Sequence, residues 1–134
     1  MKNELTPESA AKMMTLVDRS TYYGRITYLA IAFLQQTGLG FGDLARLRVR
    51  DVYQLGIVRI SLKAGVGSRE RVVPLSDRAR HTVAAILKAQ ACQGLQPFPW
   101  SPLLRTPGGR AFTPHELARL FWLYREAAEN LDAS

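Results

Sequence analysis

Cysteine is nearly missing from this sequence. The single thiol, Cys92, cannot form an internal disulfide, which argues against a stapled secreted scaffold and for a reducing cytoplasm. Histidine is almost as scarce. His81 and His115 stand far apart, no metal-ligand spacing occurs, and no metal or cofactor is expected. Long hydrophobic runs are missing too. The longest, YLAIAFL at 28–34, falls far short of the roughly 20 residues needed to span a bilayer. The opening MKNELTPESAAK has no apolar signal core, so no membrane partner and no secretion are expected.

Negative charge is also in short supply: 11 acids stand against 18 Lys and Arg, leaving a net charge of +7. The excess is concentrated. Between Arg46 and Arg80 nine basic residues meet three acids, so this stretch carries six of the seven net positive charges. Arginine outnumbers lysine 14 to 4, and a guanidinium suits bidentate phosphate contact better than an ammonium does. Charge alone leaves two readings open, a nucleic-acid surface and a solvated basic face.

What the chain has is apolar material in periodic order. At 134 residues and 47% hydrophobic it can bury the core of one domain, spanning 1–134. Thr6-Pro7-Glu8 reads as a helix start, with Ala10, Met13, Met14 and Val17 on the inner face of a helix reaching about Asp18. A second helix, about Thr21 to Gln36, is apolar on nearly every side and stops at Gly38. FGDLARLR reads as one short helix. IVRISLK at 57–63 alternates with period two, AGVGSRE turns, and RVVPL returns, which predicts a hairpin. Ser76 caps a helix with Ala79, Val83, Ile86 and Leu87 on its buried stripe. Five of the seven prolines fall in 97–114, predicting a loop, after which Thr113-Pro114-His115-Glu116 is a capping box. It opens a last helix with Leu117, Leu120, Phe121, Tyr124 and Ala128 on one face. The expected fold class is therefore mixed, mainly α with a small antiparallel β-hairpin or sheet.

Four stretches in this order resemble the start of the catalytic domain of the tyrosine recombinases, or phage integrases. They are LTPESAAKMMTLVDR, the box LQQTGLGFGDLARLRVRDV, the hairpin SLKAGVGSRERVVPL, and PLLRTPGGRAFTPHELARLFWLYREAAE. The resemblance covers about Leu5 to Ala128 and implies the first half of that domain. It also implies a chemistry. In that family a tyrosine hydroxyl attacks a phosphodiester, two arginines stabilise the charged phosphate, a hairpin lysine assists the leaving oxygen, and a later His-x-x-Arg box completes the site. Fixed cationic donors are what such a transition state needs.

Carried over residue by residue, little of this remains. The first arginine falls on Gly40, which has no side chain to offer. The acid three positions on is matched by Asp43, and the hairpin lysine by Lys63. The second box is expected after the helix that ends near Ala128, where the sequence given runs out. His115 and Arg119 have a spacing one residue too long for it. Tyr124 sits on an apolar face and reads as core, while Tyr22, Tyr23, Tyr28 and Tyr53 come too early. The expectation is a truncated, non-catalytic relative from a mobile genetic element. It binds DNA through Arg46, Arg48, Arg50, Lys63, Arg69 and Arg71 in an accessory or regulatory role in recombination. The alternative is a module that pairs with itself or with a full-length recombinase. Trp100 and Trp122 read as core or interface aromatics. Because the helix around YLAIAFL is apolar on nearly every side and needs cover, a homodimer is expected, with Phe121, Trp122 and Leu123 near the contact.

Overall fold

The computed structural model describes residues 7–53, 57–63 and 68–133, with the backbone alone for Tyr53, for the paired stretch 57–73 and for 128–133. The elements are α1 (Pro7–Leu16), α2 (Tyr22–Thr37), α3 (Phe41–Arg46), α4 (Val49–Tyr53), β1 (Ile57–Lys63), β2 (Ser68–Pro74), α5 (Asp77–Cys92) and α6 (Pro114–Ala133). The expected cap Thr6 and the turn residues 64–67 lie outside the described residues.

Local chemistry sets most boundaries. α1 stops at Leu16, short of the expected Asp18, because Asp18 forms a turn of its own. Its carboxylate accepts from Ser20 N (3.0 Å) and Ser20 Oγ (2.6 Å), which holds it below the usual carboxylate range. The turn then folds tightly onto α2. A Cβ at Gly24 would sit 1.6 Å from the Asp18 carbonyl oxygen, so only glycine fits there. Thr21 caps α2 by accepting from Gly24 N, and Gly38, at φ 74°, ends it in the left-handed region. Ser76 caps α5 by accepting from Ala79 N. The capping box of α6 closes in both directions: Thr113 N donates to Glu116 Oε1 (3.0 Å) and Glu116 N to Thr113 Oγ1 (3.1 Å).

FGDLARLR is not one helix. The chain extends at Leu47 (ψ 141°), where Leu47 O accepts from Leu103 N (2.8 Å) and Arg48 bridges Pro102. The loop after α5 competes for these backbone groups and wins, and α4 begins two residues later.

The expected mixed architecture needs correction: the body is mainly helical. The period-two stretches pair antiparallel with each other, Ile57 opposite Pro74 through Lys63 opposite Ser68, and no third strand joins them among the described residues. Two strands make no layer that can bury a core face by themselves. The described core comes instead from helices and their connections: Met13 of α1, Ile31 and Phe33 of α2, Ile86 of α5, Leu117 and Phe121 of α6, and Leu103 of the loop, all almost fully buried.

A second correction concerns α2. No bare apolar side remains on it. It packs against α1, α5 and α6, and Ile26, Ala30, Ile31, Phe33 and Leu34 are all buried. The cover comes from the chain itself, and α6 is seated on α3 as well, where Phe121 meets Phe41 edge-on at 4.7 Å between ring centres.

Candidate nucleic-acid interface

Gly40 stands at the junction of α2 and α3. It occupies the N-cap of α3 in ordinary extended geometry (φ −91°, ψ 171°) and makes no side-chain cap. A Cβ there would meet only Asp43 Oδ2, at 3.9 Å. Neither backbone nor packing requires glycine at this position. Glycine at this position is thus not dictated by the fold. Asp43, half-buried in the first turn of α3, takes Arg46 Nη2 at 3.1 Å. Such surface pairs contribute roughly 0 to 1 kcal/mol.

Arg46, Arg48 and Arg50 are all exposed on the α3–α4 segment. Asp51 holds the start of α4 by accepting from Arg48 N at 2.8 Å. Arg50 N donates to Pro99 O (2.9 Å) and Val49 N to Ser101 O (2.9 Å), so the loop after α5 is fastened beside these arginines. α4 also lies against β1. The arginine-bearing α3–α4 segment thus leads directly into the hairpin that carries Lys63.

The hairpin register divides its own cations. Residues directly opposite in an antiparallel pair share a face, and neighbours along a strand alternate. Lys63 pairs with Ser68 and Ser61 with Glu70, whereas Leu62 pairs with Arg69 and Ile60 with Arg71. Register therefore puts Lys63 and Arg59 on one face of the ribbon, and Arg69 and Arg71 on the other with Ile60 and Leu62. By register, then, these hairpin cations divide between two faces.

The fastened loop brings an unexpected feature. Phe98 and Trp100 stack at 5.0 Å with their planes 4° apart, and they are 46% and 63% exposed. Trp100 is thus no core residue. It is an exposed aromatic next to Arg50. Nothing in the spacing of QPFPWSP marked this pair, because its position depends on backbone bonds to α4.

The loop is held from within by Arg105, a residue the sequence left unremarked. It is only 7% exposed. Its Nε donates to Gln90 Oε1 (2.9 Å) and Nη2 to Gln96 O (2.9 Å). Gln90, fully buried, donates in turn to Leu103 O. The Tyr22 hydroxyl donates to Arg105 O, and burial pushes that phenol up to about 12. Tyr22 is therefore a neutral structural donor. Tyr124 is half-buried and packs on the core. His115 and Arg119 are exposed on α6, and the side chain of Tyr53 lies outside the described residues. Of the expected interface residues, Phe121 is buried inside the chain, while Trp122 and Leu123 are 47% and 52% exposed.

No family model matches this sequence, and no curated protein does. Solved structures do match. XerA recombinase superposes with a TM-score of 0.68 at 18% identity, over 96% of this chain and 43% of its own. The Tn1549 transposon integrase (residues 82–397), in complex with circular intermediate DNA, gives 0.65 at 20%, over 94% of this chain and 44% of its own. The lambda integrase catalytic core gives 0.67 at 16%, over 96% of this chain and 71% of its own. The chain spans less than half the length of the first two. At these identities the likeness speaks for the fold alone, and that fold is the one the motifs implied: a tyrosine-recombinase-like domain.

Proposed function

We propose that this protein is a non-catalytic recombinase-like DNA-binding protein, accessory to integration or recombination in a mobile genetic element. The observation that carries this reading is Gly40. It occupies the position of the family's first arginine in a fold that leaves room for a side chain, yet supplies no cation. In comparable sites the loss of one charge-stabilising donor costs roughly 2.7 to 4 kcal/mol of transition-state stabilisation. Tyr22 is committed to Arg105 O and Tyr124 to the core. His115 and Arg119 lie on the solvated start of α6, where the cap occupies its neighbours.

DNA binding draws support from the exposed Arg46, Arg48 and Arg50 beside the hairpin, and from the Tn1549 integrase neighbours having been solved with DNA. Phosphate contacts would position the duplex. The Phe98–Trp100 stack offers a flat apolar face for an unpaired base. The test is a mobility-shift titration at two salt concentrations. Binding through several phosphates weakens steeply with salt, by about 0.9 in log–log slope per contact. An affinity that barely responds to salt would refute the assignment.

A second reading is favoured by Trp122 and Leu123. Two large apolar side chains about half-exposed on one helix suit a contact with a second copy or with a full-length recombinase. Sedimentation equilibrium separates the readings, since an apolar contact persists at high salt.

A further inference from the structure

The far end of α2 holds a feature that DNA binding does not use. α2 and α5 run antiparallel, with Thr82 Oγ1 and Gln36 Oε1 2.8 Å apart at one end. Toward the other end they part around an open cleft of about 490 Å³. Three cations line it, Arg19, Arg25 and Lys88, together with Tyr28, Leu29 and Ala89. No acid is among the described residues that line it. The Arg19 guanidinium rests 4.5 Å above the centre of the Tyr28 ring. Arg25 is half-buried, and its Nε is closed off from solvent with no hydrogen-bond partner. A buried guanidinium donor without an acceptor is costly, so the fold carries this arginine here at some expense.

The cleft has the size of a small-molecule site and the mixed lining such sites have: apolar walls and a few converging polar groups. Three cations without a carboxylate call for more than one negative charge. A phosphate monoester brings about −1.5 to −2 and three acceptor oxygens, which guanidinium forks grip well. A duplex fits less well, because each phosphodiester carries one charge and has no use for the apolar walls. The cleft is also remote from Gly40: Arg25 and Thr37 are separated by about 18 Å along the α2 axis. We propose that this cleft binds a small phosphate monoester with an apolar or aromatic body, independently of the DNA surface.

The experiment follows the methyl signals of Leu29, Ala85 and Ala89 in the intact protein at physiological salt. Phenyl phosphate, inorganic phosphate and phenol are titrated in turn. The expected result is saturable, sub-millimolar binding of phenyl phosphate. Inorganic phosphate should bind at least about tenfold more weakly, and phenol should leave the signals unmoved. Arg25→Gln and, on the exposed rim, Lys88→Gln should each weaken phenyl phosphate about tenfold, whereas Lys63→Ala with Arg69→Ala and Arg71→Ala should not. If Arg25→Gln fails to fold, Lys88→Gln decides. Non-saturable shifts up to roughly 10 mM phenyl phosphate, far above the expected affinity, would overturn the proposal. So would unchanged affinity in a folded variant, or competitive displacement by a duplex oligonucleotide.

Discussion

Replacing Gly40 with arginine tests the reading of the site at its most informative point. The backbone there is extended and ordinary (φ −91°), and the new Cβ would meet only Asp43 Oδ2 at 3.9 Å. Losing a glycine restricts the unfolded chain and should stabilise the fold by about 0.4 to 1 kcal/mol. Against this, glycine is an acceptable N-cap and arginine is not, a loss of up to about 1 kcal/mol, and a cation at a helix N-terminus costs a few tenths more. These effects nearly cancel, so the melting temperature should move by no more than about 3 °C. On DNA the effect should be larger. One restored phosphate contact steepens the log–log salt slope by about 0.9, so the variant should lose about 3.5-fold more affinity than the parent between 50 and 200 mM salt. Thermal melting and a mobility-shift series at those two concentrations measure both quantities. A melting drop beyond about 10 °C would refute the claim that the fold tolerates a side chain there. An unchanged slope in a well-folded variant would show that the start of α3 does not face DNA.

Removing the Arg105 side chain by Arg105→Ala leaves Gln90 Oε1 and Gln96 O without their donor. It should cost about 2 to 4 kcal/mol in urea unfolding, with Arg105→Lys falling between. Glu116, held down to about 2 by Arg110 with help from Thr113 N, contributes stability that is present above its ordinary pKa of 4.5 and is lost as pH falls through 2. Glu116→Gln should therefore flatten the stability profile in that window, and a profile identical to the parent's would contradict the assignment. For the hairpin, Arg69→Ala with Arg71→Ala and Lys63→Ala should change the salt slope by different amounts, because register puts them on opposite faces; equal changes per charge removed would mean that both faces meet DNA alike. If Trp122 and Leu123 form a self-contact, Trp122→Glu with Leu123→Glu should abolish any dimer seen by sedimentation equilibrium, and persistence of that dimer would exclude this face.

What the sequence disclosed and what it hid divide along a physical line. Thr21, Gly38, Ser76 and the Thr113–Glu116 box act within three or four residues, so their meaning is written locally. Gly24 was silent because the carbonyl that forbids a Cβ belongs to the preceding turn. Arg105 looked like one more surface cation, since its burial depends on Gln90 and Gln96 closing over it from α5 and the loop. The extension at Leu47 was hidden for a similar reason, its partner Leu103 being far along the chain. The parity of the hairpin is a subtler case. Pairing Lys63 with Ser68 across the turn fixes which cations share a face, and a register count over RISLK and SRERV held that information. Phe121 was given two roles at once, inner face and outer contact; its seat on Phe41 decides for the first. Gly40 itself was legible from the motif, but the open space around it was not.

The central claim is that a recombinase-like fold here holds DNA without cutting it. The most direct measurement is covalent trapping on a pool of nicked suicide duplexes of randomised sequence, resolved first on a native gel and then under denaturing conditions. The expected result is a salt-sensitive shifted complex on the native gel that dissociates completely in denaturant, leaving no protein-linked DNA. A denaturant-resistant adduct, lost in Tyr124→Phe, would contradict it.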